Sequence, residues 1–203
     1  MRSPGEPLLL LAALAVGLAV SAIQPHDRLT WLLEVAPILI AVPILIATYR
    51  RFPLTPLAYR LIFLHALVLM IGGHYTYAQV PAGFWVQDLL GLARNPYDRL
   101  GHLMQGFVPA ILAREVLLRR TPLRPGGWLF FLVTAVCLAI SACYELAEWW
   151  AAVAGGAAAT DFLGTQGDVW DIQWDMLMAL IGALSAQLLL AWHHDRQLAR
   201  LAR

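Results

Sequence analysis

Six long apolar runs, separated by short polar connections, decide what this chain can fold into. They cover about residues 7–23, 31–49, 57–73, 100–118, 128–150 and 172–192. A helix needs roughly 20 residues to cross the hydrocarbon core of a bilayer, and each run is near that length. With 60% hydrophobic and 13% charged residues and a mean hydropathy of +0.66, a water-soluble fold is excluded. The expected fold is all-α: a polytopic membrane protein forming one domain over residues 1–203, built as a six-helix transmembrane bundle. The first run also resembles a signal peptide, with Arg2 before the apolar stretch and a Val20-Ser21-Ala22 cleavage-like triplet. Glu6 in its polar head favours a retained span, and in either case the chain after Gln24 starts on the outer side.

Charge is segregated along the chain. All 14 basic residues are arginine, and Arg50, Arg51, Arg60, Arg119, Arg120, Arg124, Arg196, Arg200 and Arg203 fall on alternate connections and the C-terminal tail. The positive-inside rule makes that side the cytoplasm, with both termini inside. The remaining connections and adjoining helix ends carry Asp27, Asp88, Asp98, Glu145, Glu148, Asp161, Asp168, Asp171 and Asp175 against Arg28, Arg94 and Arg99. No basic run is interleaved with exposed aromatics, so nucleic acid is excluded as a partner and membrane lipids are the expected one. Cys137 and Cys143 are read as packing residues of one span, too far apart along a helix to form a disulfide.

The outward ends hold three spaced pairs. Asp98 and His102 are four apart, Glu145 and Glu148 three, and Asp171 and Asp175 four, so each pair shares one helix face. A bundle can converge all three on one pocket. An ionisable residue at mid-span costs about 2.5–3.5 kcal/mol, less near the ends, and neighbouring like charges add to that. A divalent metal ion held by Glu145, Glu148, Asp171 and Asp175 would offset the surplus. Protons shared between carboxylates, or pairing with Arg94 and Arg99, would do so too.

Structural roles compete for each residue. Asp168 and Asp171 could cap the sixth span, and Asp98 the fourth. Glu145 and Glu148 resist that account, because they are expected at a helix C-terminus, where the dipole disfavours a negative charge. His74, Tyr75 and Tyr77 fit an interfacial belt, while His74 could alternatively supply a second imidazole. Trp149, Trp150, Trp170 and Trp174 also fit a belt, and Glu34 either joins the acids or caps its span. His65 is expected to be a satisfied interhelical residue, Arg114 and Glu115 a local pair at the inner end, and His193 and His194 part of the cytoplasmic tail. Two triplets recur, Asp27-Arg28-Leu29 with Asp98-Arg99-Leu100 and Thr55-Pro56-Leu57 with Thr121-Pro122-Leu123, which raises the expectation of a repeated helix pair.

The motifs Gly73-His74-Tyr75-Thr76-Tyr77, Asp98-x-x-x-His102, Arg114-Glu115, Glu145-x-x-Glu148-Trp149 and Leu163-Gly164-Thr165-Gln166-Gly167-Asp168-x-Trp170-Asp171-x-Gln173-x-Asp175-Met176 resemble the bacterial inner-membrane proteins typified by YjdF. That resemblance implies a multi-pass cytoplasmic-membrane protein of a functionally uncharacterised family. From Tyr97 to Gly182 the pattern is also similar to VanZ-like proteins, with Glu148 where glutamine is expected and with either Asp171 or Asp175 as the matching acid. It points toward envelope lipids or cell-wall precursors.

Three functions fit these residues. One is a metal-assisted enzyme acting on a lipid-linked or headgroup substrate. In it Asp98 and His102 are catalytic, and Arg94, Arg99, His74 and Tyr75 contact substrate. No serine-hydrolase, zincin or P-loop motif is present, so water on a metal would be the nucleophile. The others are a binding or transport protein with a cation vestibule, and a structural partner of another envelope protein.

Overall fold

The computed structural model describes residues 5–155 and 165–201. Asp161, Arg203 and the Leu163-Gly164 start of the long motif lie outside them. The chain is all-helical and follows the expected spans, with two additions. Helices α1 (Gly5–Ser21), α2 (Arg28–Thr48) and α3 (Pro56–Tyr75) are followed by a 3-10 turn, Tyr77–Gln79, and a short helix α4 (Pro81–Leu90). Then come α5 (Tyr97–Arg120), α6 (Gly127–Gly155) and α7 (Asp171–Leu201). Four of these, α2, α3, α6 and α7, are both long and apolar enough to cross a membrane. The 17-residue α1 is shorter, and α5 has the length but carries charges at both ends.

The polarity of α5 follows from its position. It packs against α3, α6 and above all α7, so its polar face is shielded from lipid. Asp98, His102, Gln105, Arg114 and Glu115 are buried, while Leu100 and Val116 face outward. Intramembrane charges are tolerated on such interior faces. Helices α1 and α2 both lean on α3, forming a second core around Val35, Ile38, Leu69 and Met70.

Small residues set the closest contact. A Cβ at Gly106 would run into the Ala179 carbonyl, and one at Gly182 would run into the Leu103 carbonyl, so only glycine allows α5 and α7 to approach this closely. Ala179, Gly182, Ala183 and Ala186 are all buried along that seam.

The structure corrects several sequence expectations about element limits. The stretch between the third and fourth runs contains α4, whose Phe84, Trp85, Leu89 and Leu90 are exposed. Helix α6 continues to Gly155, so Glu145 and Glu148 lie about two turns or more before its end. The dipole argument therefore fails for them, because that field falls off within the last turn. The repeated triplets are not equivalent either. Asp27 is the N-cap of α2, accepting from the Thr30 N–H at 2.7 Å, a bond that holds its carboxyl below the usual range. Asp98 instead lies inside the first turn of α5. Thr55 caps the start of α3, and Thr121 the end of α5.

Of the two C-terminal histidines, His193 is exposed and His194 is buried in the bundle. Helix α7 runs for 31 residues and docks against the start of α3, with Gln197 Oε1 accepting from the Leu57 N–H at 2.9 Å. His194 and Glu115 are both 0% exposed. Glu115 accepts from the Thr55 hydroxyl at 2.7 Å, the Thr55 N–H at 3.0 Å and Arg119 at 2.6 Å, and lies 3.1 Å from His194 Nε2. Arg114 pairs with Asp195 at 2.7 Å and lies 3.2 Å from His194 Nδ1. This network joins α3, α5 and α7 at the arginine-rich end. The local Arg114–Glu115 pair expected from sequence gives way to partners 60 and 79 residues away, which only the fold brings together.

Candidate functional site

The acidic end is organised by a turn and two arginines. Residues 165–168 form a β-turn closed by the Asp168 N–H and the Thr165 carbonyl at 2.8 Å. Its central Gln166 and Gly167 have φ of 47° and 83°, which explains the glycine. The turn projects Gln166 toward Asn95, and the two residues exchange hydrogen bonds of 3.1 and 3.0 Å. This clamps the entry to α7 onto the entry to α5 and brings the acids of one helix to the arginines of the other.

Arg94 donates to Asp171 through a short contact and reaches Asp98 at 3.3 Å and Asp168 at 3.6 Å. Arg99 reaches Asp168 at 3.0 Å, Asp171 at 3.2 Å and Asp175 at 3.1 Å. Both guanidiniums are thus engaged by carboxylates, leaving Asp171 a partner of arginine more than a metal ligand. Asp168 also accepts from the Trp170 N–H at 2.9 Å, an Asx-type contact at the start of α7.

His102 sits at the convergence. Its Nε2 lies 3.5 Å from Asp98 Oδ1 and 3.9 Å from Asp175 Oδ2, and its Nδ1 lies 3.2 Å from Gln105 Oε1 and 3.6 Å from Glu145 Oε1. With the Nδ1 proton donated to Gln105, Nε2 would offer its lone pair to a metal ion shared with the two carboxylates. One ligand atom each from Asp98, His102 and Asp175 lies within 4.8 Å of the other two. This set crosses the roles assigned from sequence, taking Asp98 and His102 together with Asp175. Glu145 is 7% exposed, and its Oε1 has no hydrogen-bond partner.

Beside this cluster opens a cavity of about 360 Å³. Glu34, His65, Asp98, His102, Tyr144 and Glu148 line its polar end, and apolar residues of α2, α3, α5 and α6 line the rest. Tyr144 donates to Glu34 at 3.5 Å, and its ring stands edge-on to His102 with centroids 6.2 Å apart.

The chain matches the family described as "Predicted membrane protein (DUF2238)" over residues 6–196. It is 58% identical over 198 residues to "Inner membrane protein YjdF" of Escherichia coli (strain K12), covering 96% of this chain and 95% of that protein. The chain belongs to the DUF2238 membrane-protein family. No solved structure matches it.

In this DUF2238 protein some site residues differ from those the sequence singles out. His74 Nδ1 lies 3.0 Å from the Ser21 carbonyl, tying α3 to the end of α1, and is not part of the cavity lining. The second imidazole at the cavity is His65, whose Nε2 has no hydrogen-bond partner. The expectation of a satisfied His65 is therefore corrected. Tyr75 is exposed, as a belt residue would be, whereas Tyr77 turns inward and is buried. Thr76 makes that reversal with a φ of 66°, and the Tyr77 ring occupies space that a Cβ at Gly72 or Gly101 would fill. Glu34 joins the acids instead of capping. The Gly72-Gly73 pair is the available sequence signal, since Gly73 faces the Glu34 Cβ as Gly72 faces Tyr77. Trp149, Trp150, Trp170 and Trp174 are all exposed.

Proposed function

We propose that this protein is a cytoplasmic-membrane enzyme that uses a divalent metal ion, held by Asp98, His102 and Asp175, for chemistry on a lipid-linked or headgroup substrate. The observation that carries this reading is the approach of those three ligand atoms to within 4.8 Å of one another on α5 and α7. Seven carboxylates (Glu34, Asp98, Glu145, Glu148, Asp168, Asp171, Asp175) share this end with Arg94, Arg99 and His102. A bound dication offsets that excess, and one imidazole with two carboxylates suits Mn, Fe or Zn. An ion held by these three residues would supply Lewis-acid activation of a water. Glu145, whose Oε1 lies 3.6 Å from His102 Nδ1 without a hydrogen-bond partner, would serve as the base for such a water.

The acidic end faces away from the cytoplasm, with both termini inside. Arginine at the opposite end supports that orientation. A transport path finds less support, because the middle of α5 and α7 is closed by Val108, Ala110, Ile111, Ala183 and Ala186, all buried and without ionisable groups.

The test is metal analysis of protein purified in mild detergent, wild type beside Asp98→Asn and Asp175→Asn variants of matched fold. Wild type should hold about one divalent ion per chain, and either substitution should weaken binding by at least about 100-fold, as losing a direct ligand exceeds the 10–100-fold effect of outer-shell changes. A wild-type protein that neither carries nor binds a divalent metal would end this reading.

A further inference from the structure

Helix α2 leans on α3 and stands off from α5 and α6, and the space behind it is a trough. Two cavities lie along it, the one of about 360 Å³ at the acidic cluster and another of about 390 Å³ toward Tyr49 and Arg50. They share Leu14, Val42, Leu45 and Ile62 as walls, so the two cavities adjoin along α2. From Glu34 to Arg50 this path follows α2 for about 24 Å, most of a hydrocarbon core of about 30 Å. Two wall residues of the upper cavity, Ile44 on α2 and Ile140 on α6, are 56% and 40% exposed, so the trough opens sideways toward lipid between those helices.

The chemistry changes sharply at the upper end. Glu34, Asp98 and Glu148 line the cavity with His65 and His102, and among the described residues no arginine lines this part. Arg94 and Arg99 hold Asp168, Asp171 and Asp175, and Arg94 also reaches Asp98 at 3.3 Å, which leaves Glu34 and Glu148 as the cavity carboxylates that neither arginine pairs with. An anionic headgroup alone meets repulsion there, whereas an ammonium group meets hydrogen-bonding carboxylates.

The geometry points to a phospholipid with a primary-amine headgroup as the ligand of this site, its ammonium at Glu34 and Glu148 and one hydrocarbon chain bedded in the trough along α2. This rests on the reading of the acidic end as a ligand site and adds the class of ligand. The hydroxyls of a glycerol headgroup can donate to the same carboxylates but carry no positive charge, and the ammonium's charge corresponds to about tenfold preference or more.

The test is native mass spectrometry of the full chain released from nanodiscs holding equal amounts of ethanolamine-headed and glycerol-headed phospholipid with the same acyl chains, with metal content measured on the same samples. Wild type should retain the ethanolamine lipid about tenfold over the glycerol lipid. Glu34→Gln, a conservative change, should bring that ratio close to one. Ala41→Trp, which fills the trough below the polar end, should strip both lipids, and both variants should keep the metal content of wild type. Equal retention of the two lipids by wild type overturns the inference, as does an unchanged ratio in Glu34→Gln or full retention in Ala41→Trp. Metal bound without headgroup preference would overturn this inference and leave the metal site standing. The reverse result, preference without metal, would support the lipid site and overturn the metal reading.

Discussion

Replacing Glu115 with alanine should cost about 3–5 kcal/mol of stability, the range for removing one partner of a buried charge pair. The carboxylate is fully buried and accepts from the Thr55 N–H, the Thr55 hydroxyl and Arg119, with His194 Nε2 beside it. Its removal leaves Arg119 without that anion and strands the Thr55 donors at the start of α3. It also frees His194, which anchors the far end of α7. Glu115→Gln keeps the shape and one acceptor oxygen, so it should cost less. Reversible unfolding in mixed micelles, followed by circular dichroism, measures both. A loss below about 1 kcal/mol in Glu115→Ala would mean the network contributes no more than a surface ion pair.

The second large effect belongs to Arg99. Its two terminal nitrogens serve Asp168, Asp171 and Asp175, and Arg94 also reaches the first two. Arg99→Ala therefore falls hardest on Asp175, which remains beside Asp98 without its guanidinium. A loss of about 3–5 kcal/mol is expected in metal-free buffer. The stranded carboxylates should then bind a divalent cation that stabilises the fold in proportion to RT ln(1 + [L]/Kd). Thermal unfolding with chelator and with millimolar manganese should show the variant gaining more from the ion than wild type does. An Arg99→Ala protein as stable as wild type, or one indifferent to manganese, would contradict this account of the acidic end.

Much of this architecture is legible in the chain because membranes impose simple rules. Span length, arginine segregation and same-face spacing of Asp98 with His102 and of Glu145 with Glu148 are local properties, and local patterns identify them. What escapes local patterns is set by tertiary approach. Glu34 and His65 are single polar residues in apolar runs with no neighbour to mark their purpose, and they meet only because α2, α3 and α5 surround one cavity. Glu115 and His194 each look like an interfacial end residue, yet 79 residues apart in sequence they share a hydrogen bond. The spacing of Asp171 and Asp175 implies a joint role, and Arg99 does engage both, but Arg94 also claims the first while the second faces His102. Tyr77 resembles a belt residue by position, and the reversed backbone at Thr76 sends it inward.

Electron spin-echo spectroscopy of protein loaded with manganese tests most directly whether Asp98, His102 and Asp175 form a metal site. Wild type should show nitrogen modulation from one imidazole bound to the ion, abolished in a His102→Gln variant that keeps its fold. Manganese bound without imidazole nitrogen coupling, or coupling that survives His102→Gln, would place the ion elsewhere and contradict the site described.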